Sequence, residues 1–137
     1  MDGNTAKNES LTNTQLSPGM RLWVKINEGI FGPGIMRSLM GINETKSLTL
    51  AAEQAGMSYY KAYRLIKRLE EDSGCKMLER RVGGVSGGSS ELTNTAIDLL
   101  KRYNSFAEDA SVVISELFER HFADFEPQDL MSVKAIN

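Results

Sequence analysis

The stretch Thr49–Leu69, TLAAEQAGMSYYKAYRLIKRL, decides how the rest of the chain is read. It predicts two short helices joined by a tight turn. The first helix starts near Thr49, whose hydroxyl suits the free N–H groups of a first turn. The turn falls at Gly56, because glycine takes a positive φ without strain. The second helix starts near Ser58, a second capping residue. Ala62, Leu65, Ile66 and Leu69 follow at spacings of three, one and three, which makes one buried stripe of a helix.

Small residues at Ala51, Ala52 and Ala55 allow the two helices to approach closely. The pattern fits a helix-turn-helix, whose second helix lies in a DNA major groove. The outward face of that helix carries Ser58, Tyr59, Tyr60, Lys61, Tyr63, Arg64 and Lys67. Donors, cations and aromatic rings suit phosphates and base edges. The alternative from pattern alone is an ordinary helical hairpin with a solvated basic face.

The 137 residues fit one domain with an extra arm. Sixteen Lys and Arg against eighteen Asp and Glu give a net charge of −2, so bulk charge offers no hint of nucleic acid. Local charge does. Met57–Arg81 holds seven cations and four acids, whereas residues 94–137 hold eight acids and four Lys or Arg. One face for DNA and another for a different partner would explain that asymmetry; so would plain solvated surface. Cys75 is the single cysteine, which excludes an internal disulfide and fits the reducing cytoplasm. With His121 the single histidine, Cys75 and His121 cannot by themselves form a zinc site. The polar start MDGNTAKNES is not a secretion signal, and no apolar run reaches a membrane span of roughly 18 residues.

Residues 1–19 are expected to form a disordered arm. RLWVKIN at 21–27 alternates apolar and polar, a strand signature. Phe31-Gly32-Pro33-Gly34 breaks it. Pro33 then opens a helix carrying Ile35, Met36, Leu39, Met40 and Ile42 to about Glu44. Past Leu69 the second helix of the pair frays, and Gly74 stops it. Met77–Val82 and Glu91–Thr93 predict two strands around the glycine-rich turn 83–90. That order, helix-turn-helix then hairpin, is a winged helix over 20–93. Bare glycine N–H groups at the tip could approach phosphates closely; a flexible surface loop is the plainer reading.

Thr93 is a candidate cap for one long helix over 94–123. Leu100, Tyr103, Ala107, Ala110, Ile114, Leu117 and His121 alternate three and four apart, a heptad seam. Leu99, Phe106 and Val113 widen it. A helix of some thirty residues spans about 45 Å, more than a small domain's own core needs. Pairing between two protomers is therefore expected, unless the helix breaks near Asn104-Ser105 and folds back. Residues 124–137 read as a flexible tail.

Residues 21–123 resemble the N-terminal DNA-binding domain of the ModE family of molybdate-responsive regulators, and more loosely the winged domain of LysR-type regulators. The resemblance rests on FGPG at Phe31–Gly34, SLTLAA at Ser47–Ala52, GMSYYKAY at Gly56–Tyr63, and GGVSGG followed by Leu92-Thr93. It implies a mainly α fold with a small β-hairpin wing and a dimer paired through the long C-terminal helix. ModE proper continues into molybdate-binding domains, which are not visible here, so no small-molecule effector domain and no cofactor are expected. Val85 and Glu91 stand where the family usually carries basic residues, which implies a weaker wing. Tyr60 and Tyr63 stand where a cation and tryptophan are common, which implies a different sequence preference.

The expected function is a dimeric, sequence-specific transcriptional regulator in the cytoplasm, with double-stranded DNA and a second copy of itself as partners. Ser58, Tyr59, Tyr60, Lys61 and Arg64 would face the major groove. Thr49, Lys67, Arg80, Arg81, Gly83, Gly84, Ser86, Gly87 and Gly88 would meet phosphates. Leu100, Tyr103, Ala107, Ala110, Ile114 and Leu117 would form the dimer interface. The alternative is a winged-helix interaction module, an adaptor or co-regulator without strong DNA binding. No nucleophile–base pair, metal cluster or nucleotide loop suggests an enzyme.

Overall fold

A computed structural model describes residues 16–81 and 89–126. Most of the expected N-terminal arm, the hairpin tip and most of the expected tail lie outside the described residues. Two compact units divide the chain, Arg21–Glu108 being the larger.

In that larger unit, Pro33 opens α1 (Pro33–Thr45). Its fixed φ suits a first turn, and its missing N–H would have no helical partner there. Ile35, Met36, Leu39 and Ile42 are buried. Met40, also carried by this helix, is 36% exposed. The helix ends at Lys46, left-handed at φ 60°, whose N–H returns to the Ile42 carbonyl at 2.7 Å.

The strand expected over 21–27 is only β1 (Val24–Ile26), and it is half of a hairpin. The returning strand is β2 (Gly29–Phe31), antiparallel, with Lys25 opposite Ile30. Asn27 takes φ 52° in the two-residue turn, a conformation asparagine tolerates. Three residues are too few for alternation to announce the return strand. Gly29 lies against α3 (Tyr59–Ser73): a Cβ there would overlap the Asp72 carboxylate.

Between them runs α2 (Leu48–Gln54), capped by Ser47 rather than Thr49. The Leu50 N–H donates to Ser47 Oγ at 3.1 Å. The helix begins early because the Thr45 hydroxyl accepts the Ser47 N–H at 3.2 Å and fixes the connector. Leu48 thereby enters the core at 4% exposure. α1 and α2 pack so closely at Gly41 that a Cβ would lie 2.8 Å from Ala51 Cβ. Gly56 makes the turn at φ 73°, where other residues are strained.

α3 is capped as expected: the Lys61 N–H donates to Ser58 Oγ at 3.1 Å. Ala62, Ile66 and Leu69 are buried, while Leu65 is half-buried. The expected fraying at 70–73 does not occur; the helix continues to Ser73 and stops at Gly74, φ 72°. Glu70 explains this. Its Oε2 accepts the N–H groups of Met77 at 2.8 Å and Leu78 at 3.2 Å, so the last turn is tied to the chain that follows.

That chain forms β3 (Leu78–Arg81), antiparallel to β4 (Ser89–Leu92), with Leu78 opposite Leu92. Ser89 and Ser90, read as turn, belong to β4. The Ser90 N–H donates to the Lys46 carbonyl at 3.0 Å, which draws this strand onto the α1–α2 connector. Thr93, expected both to end the strand and to cap the long helix, leaves the ladder and caps α4 (Asn94–Phe122): the Ala96 N–H donates to Thr93 Oγ1 at 3.2 Å. α4 passes through Asn104-Ser105 without a break. Its Ala96, Leu100 and Tyr103 join Phe31, Leu39, Ile42, Ile66, Leu69 and Met77 in one core. The fold is mainly helical, with the β3–β4 hairpin placed directly after the second helix of the pair.

The smaller unit comprises, among the described residues, 16–20 and 109–126. Pro18, Gly19 and Met20 lie beside Ser111, Ile114 and Ser115. Phe118 and Phe122 stack at 4.7 Å, and Val112, Val113 and Leu117 are exposed. No helix among the described residues is long and apolar enough to cross a membrane.

Candidate nucleic-acid interface

Because the inner side of α3 is sealed, its register places the remaining residues outward. Tyr59, Tyr60 and Tyr63 are 44%, 64% and 36% exposed; Lys61, Arg64, Lys67 and Arg68 are also exposed. An open groove of about 540 Å³ runs along this side, lined by Tyr60, Lys61, Arg64 and Lys67 among others.

The exposed rings are ordered by one another. Tyr59 and Tyr63, one turn apart, are nearly parallel at 6.4 Å between centroids. The Arg64 guanidinium sits over the Tyr60 ring at 5.6 Å. From β3, Arg80 reaches across: its guanidinium lies 5.7 Å from the Tyr63 centroid, and Nη2 donates to the Tyr59 hydroxyl at 3.4 Å. Such contacts contribute about 0.5–1 kcal/mol at exposed sites. They also limit the rotamers of long side chains otherwise free in solvent.

Of the five residues expected in the major groove, Tyr59, Tyr60, Lys61 and Arg64 share this side of α3. Ser58 stands at its start, its Oγ engaged by the Lys61 N–H. Lys67 and Arg80 wall a second cleft of about 330 Å³ between α3 and β3, with Lys76 and Glu70. Thr49 is exposed on the first turn of α2. The Arg81 side chain and Gly83, Gly84, Ser86, Gly87 and Gly88 lie outside the described residues.

The expected dimer seam is corrected at its start. Leu100 and Tyr103 are 6% and 8% exposed within the chain's own core, and Ala107 packs against the same core. The Tyr103 hydroxyl donates to the Leu22 carbonyl at 2.8 Å. Burial raises its pKa above the ordinary tyrosine value, with Arg21 and Arg37 pulling the other way. These residues face inward because α4 closes the core over α1 and β2, a task the heptad spacing does not distinguish from pairing. Ala110 and Ile114 are half-buried and Leu117 is exposed.

Two positions of the site escaped sequence reading. Glu70 docks the hairpin on α3, and its only signal is an acid seven residues before Met77 at a helix end. Lys76 is hidden between Cys75 and Met77, where no period applies. Among the described residues no group of three or more His, Cys, Asp or Glu could hold a metal ion.

Residues 35–96 match the family model described as bacterial regulatory helix-turn-helix protein, lysR family. The chain is 33% identical over 84 residues to the transcriptional regulator ModE of Haemophilus influenzae, covering 61% of this chain and 33% of that protein. It therefore spans about a third of the length of that curated relative. Its structure is similar to that of Lactococcus lactis ZitR, solved as a mutant, with a TM-score of 0.52 and 13% identity, covering 98% of this chain and 90% of that one. At that identity the likeness is of fold alone. Residues 35–96 are thus similar to the helix-turn-helix of lysR-family regulators, and the aligned stretch is similar to part of ModE.

Proposed function

We propose that this chain, carrying a ModE-like helix-turn-helix, is a dimeric, sequence-specific DNA-binding transcriptional regulator. The observation that carries the reading is the two-sided character of α3. Its inner stripe is sealed to 2% exposure or less at Ala62, Ile66 and Leu69, while Tyr60, Lys61 and Arg64 stand in solvent. A helix exposed on that side, with cations and rings at its N-terminal end, has the form that enters a major groove. The match to a transcriptional regulator supports the same conclusion.

In this reading Tyr59, Tyr60, Lys61 and Arg64 meet base edges, with Ser58 at the helix start. Thr49, Lys67, Arg80, Arg81 and the wing residues Gly83, Gly84, Ser86, Gly87 and Gly88 meet phosphates. Two protomers pair through the later half of α4. Ala110, Val113, Ile114 and Leu117, spaced three, one and three, supply the apolar stripe; Leu100 and Tyr103 do not. Two-fold pairing would place half-sites about 34 Å apart or at a multiple of that. Like other regulators of this type, the protein would act in the cytoplasm, as a regulator and not as an enzyme.

Selection from a random-sequence DNA pool tests this. Enrichment of a palindrome, with an affinity that falls linearly on a log–log salt plot, is the expected outcome. Failure to enrich any sequence, or a salt-independent affinity, would overturn it.

A further inference from the structure

The hairpin lends the recognition helix one cation, and two tyrosines hold it. Arg80 extends from β3, yet both of its described partners belong to α3: the Tyr63 ring at 5.7 Å and the Tyr59 hydroxyl at 3.4 Å. Tyr63 is also the ring on which Tyr59 stacks, so a single side chain fixes both contacts. Arg80, Lys67 and Lys76 wall one cleft of about 330 Å³, small enough to seat a phosphate group and open at the surface. Glu70 stands in the same cleft, but its Oε2 is engaged by the N–H groups of Met77 and Leu78. Three cations against one carboxylate leave a net positive seat. Nothing in the folding of the unit requires three cations to meet there, since all are exposed. Arginine and lysine differ usefully in such a seat: the planar fork is oriented by the rings, whereas the ammonium groups supply point charge.

We propose that Tyr63 is a positioning residue, which with Tyr59 fixes Arg80 in the α3–β3 cleft so that Arg80, Lys67 and Lys76 together receive one phosphate of the DNA backbone. Resting on the DNA-binding reading, this adds Lys76 and Tyr63 to the interface and gives the hairpin base a role separate from its tip. The bound atoms are phosphate oxygens, so the contact fixes register and carries no base preference.

A double-mutant cycle decides it, using a duplex selected from a random pool by the unmodified protein. Tyr63→Leu should weaken binding about three- to fivefold, matching the loss of a cation–π contact. In an Arg80→Ala background the same change should cost nothing. Tyr63→Phe keeps the ring and should restore most of the affinity. Lys76→Ala should lower the salt slope by about one and weaken all sequences alike. An equal loss from Tyr63→Leu in both backgrounds, or an unchanged slope in Lys76→Ala, would overturn the proposal while leaving DNA binding intact. If the unmodified protein selects no duplex, the DNA reading falls and this proposal with it. Thermal melting of each variant separates these outcomes from misfolding, and at 36% exposure Tyr63 is not a core residue.

Discussion

The two sides of α3 obey different rules. On the inner side Ala62, Ile66 and Leu69 are no more than 2% exposed, packed with Leu39, Ile42 and Met77. On the outer side Tyr60 is 64% exposed, and Lys61 and Arg64 stand beside it. The inner residues are explained by the fold, because removing apolar surface from water is what places the helix. The outer residues are not explained by the fold. The contacts these rings make with one another and with Arg64 and Arg80 are worth little beside core burial, so their chemistry points to whatever they meet. The same contrast orders the effects of substitution, from changes that threaten the fold to changes that leave it untouched.

The largest effect is expected on the inner side. Leu69→Ala or Ile66→Ala should destabilise the domain by about 2–5 kcal/mol, the lost transfer energy plus the cavity left behind. Urea unfolding followed by circular dichroism measures it. A loss under 1 kcal/mol in both would mean that α3 is not anchored by this stripe, and the two-sided contrast would dissolve. Glu70→Ala comes next, at about 1.5 kcal/mol, since two backbone N–H groups of the hairpin base lose a charged acceptor. Its half-exposed position keeps the loss toward the lower end of the range. Proteolysis between Met77 and Thr93 should become faster in this variant. No change in either measurement would show that the hairpin is held by the Leu78–Leu92 pairing alone.

The inner side was legible from sequence, and the reasons are physical. The spacing of Ala62, Ile66 and Leu69 is fixed by helical period, and Ser58, Gly56, Gly74 and Pro33 mark boundaries through local backbone chemistry. What escaped depends on contacts distant in sequence. The β2 return strand needs Gly29 to pass beside Asp72, forty-three residues later in the chain. The Ser47 cap depends on the Thr45 hydroxyl, which is a local contact but one that competes with the equally plausible Thr49. Leu100 and Tyr103 fit a heptad as well as they fit a core, and only tertiary contacts, such as those of Tyr103 with Phe31 and Leu22, decide between them. The outer side of α3 was readable as a list of residue types. The Tyr59–Tyr63–Arg80 arrangement was not, because it joins two elements through residues as far as twenty-one apart in sequence.

Capping sharpens the contrast at its boundary. Ser58→Ala and Ser47→Ala should each cost about 1 kcal/mol, whereas Thr49→Ala should cost almost nothing. Thermal denaturation of the three variants orders them. If Thr49→Ala proved as costly as Ser47→Ala, α2 would start where the sequence alone places it.

The smallest effect on folding is the most informative about function. Lys61→Ala and Arg64→Ala remove exposed side chains from the outer side, so each should change stability by less than about 0.5 kcal/mol. Their effects on DNA should differ in kind. Lys61 carries a point charge near the helix start, so its loss should lower the salt slope by about one and relax base preference less than the loss of Arg64 does. Arg64 is held over Tyr60 at 5.6 Å, which orients a planar fork suited to the O6 and N7 acceptors of guanine. Its loss should therefore relax preference at one position of the selected site, by about 1–3 kcal/mol of discrimination. Arg64→Lys keeps the charge and should lose the preference while keeping the slope. Repeating the selection with each variant reads both quantities at once. Should Arg64→Ala weaken all sequences alike, Arg64 would be a backbone contact, and base reading would rest on Tyr59, Tyr60 and Lys61 alone.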